Sequence, residues 1–134
     1  MAQNPMKVLV VDAALGIRIG IGIFFEDYFP TSEVTFAASG TDATRKINGG
    51  YFDLMIVEFE ISGTDGLDVI LTAFAIQGRH SRVIAMSRDR EKFFSAVGTR
   101  VEKDDVVLEL ENRFLEKPFP LSVLKAMVRK IMSG

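Results

Sequence analysis

Asp53-Leu54-Met55-Ile56-Val57-Glu58-Phe59-Glu60-Ile61-Ser62-Gly63-Thr64-Asp65-Gly66 joins an apolar run, an acid and a glycine-rich loop within fourteen residues. Residues 54–57 are apolar, too few for a helix and rich in strand formers, which predicts a buried strand. The run ends on an acid, Glu58. A loop with Gly63, Asp65 and Gly66 follows, and a helical pattern begins after it. Open α/β sheets place their chemistry at the C-terminal ends of the strands. A carboxylate there, beside a glycine-rich loop, marks a candidate site.

Upstream, residues 7–11 form a second β-branched run that ends on an acid, Asp12, and reads as the central strand. Residues 13–29 carry two patterns. Ile17, Ile19, Ile21 and Ile23 alternate with Arg18, Gly20 and Gly22, as in a strand. Ile17, Ile21, Phe24 and Tyr28 instead follow a helix stripe, and Pro30 supplies a stop. Length favours the helix, with Gly20 and Gly22 each costing it about 1 kcal/mol relative to Ala. That reading leaves Ile19 and Ile23 exposed, side by side on a glycine-lined face, as a candidate contact.

Residues 34–38 are expected to be a strand. A short helix to Asn48 follows, capped by Ser39 or Thr41 and closed by Gly49 and Gly50. After the Glu58 strand, Thr64 or Asp65 caps a helix that buries Leu67, Ile70, Leu71 and Phe74 and ends at Gly78. Residues 82–87 make a fourth strand ending at Ser87. In residues 88–112, a helix from Glu91 to Val97 is expected to stop at Gly98, and residues 104–110 read as a short helix or an added strand. Phe114 and Leu115 form a short last strand. A final helix over residues 120–132 turns Leu121, Leu124, Met127, Val128 and Ile131 inward. Pro120 suits its start, and Lys125, Arg129 and Lys130 its negative end. Strands alternating with helices predict a parallel sheet covered on both faces.

Composition narrows the function. The chain has 134 residues, 48% hydrophobic and 25% charged, as in an ordinary single globular domain. A net charge of −2 and a pI near 5.4 argue against a nucleic-acid partner. The basic residues Arg79, Arg82, Arg88, Arg90 and Lys92 are interrupted by Asp89 and Glu91, as on a solvated face. Without cysteine there is no disulfide, thiol catalysis or Cys-based metal site, which fits a cytoplasmic location. The longest strongly apolar run, residues 19–25, is too short to span a membrane. His80 has no second His or Cys to join it as a metal ligand.

Three motifs in order carry a family resemblance: Val8-Leu9-Val10-Val11-Asp12, the segment ending Thr64-Asp65-Gly66, and Phe114-Leu115-Glu116-Lys117-Pro118-Phe119. Together they resemble bacterial response-regulator receiver domains of two-component phosphorelays, of the chemotaxis-regulator kind. The resemblance covers nearly the whole chain, residues 1–134 as one domain. It implies a flavodoxin-like, five-stranded sheet in the order 2-1-3-4-5, with one helix where residues 88–112 lie. It also implies a histidine kinase or another signalling protein as partner, a second copy of this chain being the alternative.

In that family an Asp at the Glu58 position accepts a phosphoryl group. Lys117 stands at the position of the family's lysine, and the bond after it, Lys117-Pro118, is often cis in the family. Ser87 stands where receivers have Thr or Ser, and Phe114 at the aromatic switch position. Asp12 matches one of two acids that bind Mg2+; Ala13 replaces the other. The Glu60 backbone carbonyl, with Asp12 and Glu58, would complete the metal site.

Phosphoryl transfer needs a nucleophile, a divalent cation, a cation for the phosphoryl oxygens and a hydroxyl donor. Glu is one methylene longer than Asp, and a misplacement of about 1 Å costs roughly 100-fold in rate. Loss of the carboxylate at position 13 weakens a hard-cation site, leaving at most weak Mg2+ binding. The resemblance therefore implies a non-enzymatic receiver that acts by phosphorylation-independent contact. Two rivals stand beside it: a receiver phosphorylated on Glu58 or another carboxylate, and a metal-dependent phosphohydrolase using the Glu58–Glu60 pair. Plainer roles are open as well. Glu58 and Lys117 form a fixed salt bridge, Asp12 is a solvated strand-end acid, Ser87 caps the next helix, and Phe114 is core.

Overall fold

The computed structural model describes residues 5–78 and 81–133; Arg79 and His80 lie outside them. The elements are β1 (Lys7–Val11), α1 (Leu15–Tyr28), β2 (Glu33–Ala37), α2 (Gly40–Gly49), β3 (Leu54–Glu58) and α3 (Gly66–Gln77), then β4 (Arg82–Ser87), α4 (Arg90–Arg100), α5 (Asp104–Asn112), β5 (Phe114–Glu116) and α6 (Leu121–Ser133). All strand pairs are parallel, in the expected order β2-β1-β3-β4-β5. The Asp12 and Glu58 ends of β1 and β3 are therefore neighbours at one edge of the sheet, as the register Val11 to Val57 requires.

Side chains alternate across the sheet with the period of two that a strand imposes. Leu9, Val11, Met55, Val57, Val83 and Ala85 face α2, α3, α4 and α5. Val8, Val10, Leu54, Ile56, Ile84 and Met86 face α1 and α6 through Phe24, Phe25, Leu124 and Val128. Both faces are covered, so the inner strands are apolar between their end residues, as parallel sheets require.

The helix reading of residues 13–29 holds, with changes. Ile21, Phe24 and Phe25 are the buried residues of α1. Tyr28, expected inside, is exposed, while Ile19 and Ile23 are each 52% exposed. Phe25 takes the vacated place and meets Phe24 edge-on at 5.1 Å. Tyr28 instead lies under the Lys125 ammonium of α6, 4.1 Å from the ring centre.

The caps resolve the alternatives left by the sequence. Ser39 accepts from the Asp42 N–H, and Asp65 from the Asp68 N–H. Gly78, at φ 78°, closes α3 in the left-handed region that glycine tolerates. On α3 the fully buried residues are Leu67, Val69, Ile70 and Ala73, with Leu71 and Phe74 packed at the margin.

Residues 88–112 hold two helices instead of one. α4 runs through Gly98 to Arg100, because Arg100 ties its end to Asp65 and Asp68 of α3 by ion pairs of 2.8 and 3.2 Å. α5 buries Val106 and Leu110 and starts on Asp104 and Asp105, acids that favour a helix N-terminus. On α6, Leu124, Val128 and Ile131 are buried, Met127 packs partly against that core, and Leu121 is exposed, against expectation.

Candidate functional site

Three strand ends and one turn meet at the C-terminal edge of the sheet. β1 brings Asp12, β3 brings Glu58, β4 brings Ser87, and the turn after β5 brings Lys117, whose N–H donates to the Ser87 carbonyl at 2.9 Å. The Lys117-Pro118 peptide is cis. Gly66 permits the return of the β3–α3 loop. A Cβ there would stand 2.2 Å from the Glu58 carbonyl oxygen and 2.6 Å from the Phe59 Cα, so no larger residue fits.

The Lys117 ammonium lies between two carboxylates. Nζ donates to Asp12 Oδ2 at 2.5 Å and approaches Glu58 Oε2 to 2.6 Å. The Glu58 contact is close and coulombic without the alignment of a directed hydrogen bond. The side chains are 8%, 3% and 7% exposed for Lys117, Asp12 and Glu58, so solvent screens the cluster little. The other Asp12 oxygen accepts the Ala14 N–H at 2.8 Å, and Arg18 Nη1 donates to the Asp12 carbonyl at 2.7 Å. Asp12 is thus neither solvated nor free.

Glu60 has a role that its backbone position did not suggest. Its Oε1 accepts the Ser87 hydroxyl at 2.5 Å, and its carboxylate accepts a hydrogen bond from the Glu58 carboxyl, which keeps the proton. The Glu-x-Glu spacing at a strand end is the sequence signal for this pair, since alternate residues of an extended chain point the same way.

Burial pushes the Glu58 carboxyl up to about 7, the Glu60 carboxylate adds to this, and Lys117 opposes it. Burial also acts to raise Glu60, but its hydrogen bonds to Glu58 and Ser87 outweigh that and hold it below the usual range. For Lys117, burial acts downward, and the Asp12 and Glu58 carboxylates outweigh it to raise the ammonium above its ordinary value.

Ser87 is not the cap of the next helix. Asp89 caps α4 by accepting the Lys92 N–H, while Ser87 accepts the Asp89 N–H at 3.0 Å. Phe114 is core. It stacks on Phe93 at 5.3 Å, meets Phe94 at 5.1 Å, and carries the Arg90 guanidinium over its ring.

The residues present do not fit a resident divalent cation. A hard cation needs several free oxygens. Among the described residues no three acidic or His side chains are grouped to hold one. Ala13 offers no carboxylate, and both Asp12 oxygens are engaged. Among the described residues no helix is long and apolar enough to cross a membrane.

No family model matches the chain. In sequence it is similar to chemotaxis protein CheY of Pseudomonas aeruginosa, 26% identical over 129 residues, covering 94% of this chain and 95% of that protein. It is also similar to the Fimbriae Z protein of Salmonella typhimurium, 24% identical over 132 residues and 98% of this chain, which spans only 59% of that protein's length. In structure it is similar to the receiver domain of a Pseudomonas aeruginosa sensor histidine kinase, whose active-site cleft coordinates a magnesium ion. The TM-score is 0.78 at 17% identity, covering 97% of this chain and 99% of that one. Likeness to CheY along almost the whole sequence, together with the shared five-stranded fold, supports a response-regulator receiver domain of the CheY-like kind.

Proposed function

We propose that this receiver domain of two-component signalling acts by protein–protein contact without phosphorylation, and that it is not an enzyme. One observation carries the reading: the Lys117 ammonium lies 2.5 Å from Asp12 and 2.6 Å from Glu58, with all three side chains closed off from solvent. Attack on a phosphoryl group needs a free carboxylate and a cation free to meet the incoming charge. Here the two are spent on each other. Burial also pushes the Glu58 carboxyl up to about 7, toward the protonated form, which is a poor nucleophile.

The site therefore presents one fixed arrangement to a partner, a histidine kinase or another signalling protein. Ile19 and Ile23, each 52% exposed on α1, offer an apolar contact for that partner or for a second copy of the chain.

Incubation with radiolabelled acetyl phosphate tests the reading. Wild type takes up no label, and Glu58→Asp, which shortens the carboxylate and loosens its hold on Lys117, gains label or changes partner binding. Labelling of the wild type that disappears in Glu58→Gln would overturn it.

A further inference from the structure

Beside the Lys117 cluster, a groove of about 400 Å³ runs between α1 and the turn that leads into α6, lined by Gly16, Ile17, Gly20, Arg88, Phe119 and Leu121 among others. It opens at the C-terminal edge of the sheet, where folds of this architecture take ligands. Its volume is that of a small-molecule site.

Ile21 belongs to the core, and Ile17 and Phe119 pack on it, but three other residues that shape the groove are not explained by core packing. Leu121 falls on the inward stripe of α6 by sequence, yet it is 46% exposed on this wall. Gly16 and Gly20 weaken a helix relative to Ala, and nothing crowds them: an added Cβ at either would meet no atom within 4 Å. Their consequence is an open groove.

Charge then selects the occupant. Arg88 is exposed at the rim, and among the described residues its side chain makes no hydrogen bond or ion pair. The lining contains no Asp or Glu. The acids of the neighbouring cluster, Asp12 and Glu58, are committed to Lys117. One uncommitted guanidinium at the mouth of an apolar slot favours an anion with an apolar body.

We infer that this groove binds a small amphipathic carboxylate, its apolar body against Ile17, Phe119 and Leu121 and its anionic head on Arg88. The binding is independent of whether Glu58 accepts phosphate. The Lys117 stem and Pro118 form part of the same wall, so a bound ligand touches the segment that carries the buried lysine.

Calorimetric titration of the whole chain with decanoate and with 2-naphthoate, below micellar concentration, is the test. At least one binds saturably at one per chain, and decylammonium and decanol do not compete. Arg88→Gln weakens binding about tenfold, as loss of a charged hydrogen bond does. Gly20→Leu abolishes it while raising thermal stability, because Leu is the better helix former, which separates a filled groove from an unfolded protein. Three results would overturn the inference: no saturable binding by either probe, equal binding of decylammonium, or binding unchanged in both variants. A sedimenting dimer that Gly20→Leu converts to monomer would also overturn it, by putting a second copy in the groove.

Discussion

Replacing Glu58 by Gln probes the buried cluster most directly. Gln keeps the shape of the side chain, removes its titration and retains a donor for Glu60. In the wild type the Glu58 carboxyl holds its proton up to about pH 7 in the fold, against an ordinary value of 4.5. The unfolded chain thus gives up this proton first. Glu58 therefore contributes its full stability below pH 4.5, and that contribution is lost as pH rises through 7. The gap between the two values corresponds to about 3 kcal/mol. The opposing pull of Lys117 is already contained in it, since Lys117 acts to lower the same carboxyl. Denaturant unfolding of wild type and Glu58→Gln at matched pH isolates the term, because groups away from the cluster cancel in the difference. Relative to the wild type, the variant should gain about 3 kcal/mol between pH 4 and pH 8, or about 10 °C in Tm for a chain of this length. Parallel pH curves would show that Glu58 titrates in the fold as it does in solvent, and the account of the cluster would be wrong.

Three other outcomes are expected. Gly66→Ala places a methyl 2.2 Å from the Glu58 carbonyl oxygen; it should cost about 3 kcal/mol in unfolding measurements, and an unaffected midpoint would contradict the close approach. Mg2+ titration followed by NMR shifts near Asp12 should show no saturation at sub-millimolar metal, because both Asp12 oxygens are already engaged; tight saturable binding would contradict this. Ile19→Glu with Ile23→Lys should leave the circular dichroism unchanged, since both side chains are 52% exposed, and should reduce self-association or partner binding; an unfolded double variant would place the isoleucines in the core.

Most of the local structure was legible in the residues alone. Short apolar runs ending on Asp12, Glu58 and Ser87 became β1, β3 and β4, because an apolar run of four residues satisfies its backbone and buries its side chains only inside a sheet. Ser39, Asp65 and Gly78 marked helix ends through chemistry within a few residues of themselves. The family motifs named Asp12, Glu58, Ser87 and Lys117 as one site, and the strand order brings these positions to one edge.

The contacts that local pattern does not carry lie between elements. Leu121 has the period of a core residue, yet it is 46% exposed on the wall of a groove. Tyr28 turns out to the Lys125 ammonium of α6, while Phe25 goes inward and packs on the rings of Phe24 and Phe29. α4 continues through Gly98 because Arg100 finds acids on α3. Lys117 reaches Asp12 across 105 positions of sequence. That contact has no local signal. It follows from the register of β1, β3, β4 and β5, which carries one ammonium to within hydrogen-bonding distance of two buried carboxylates.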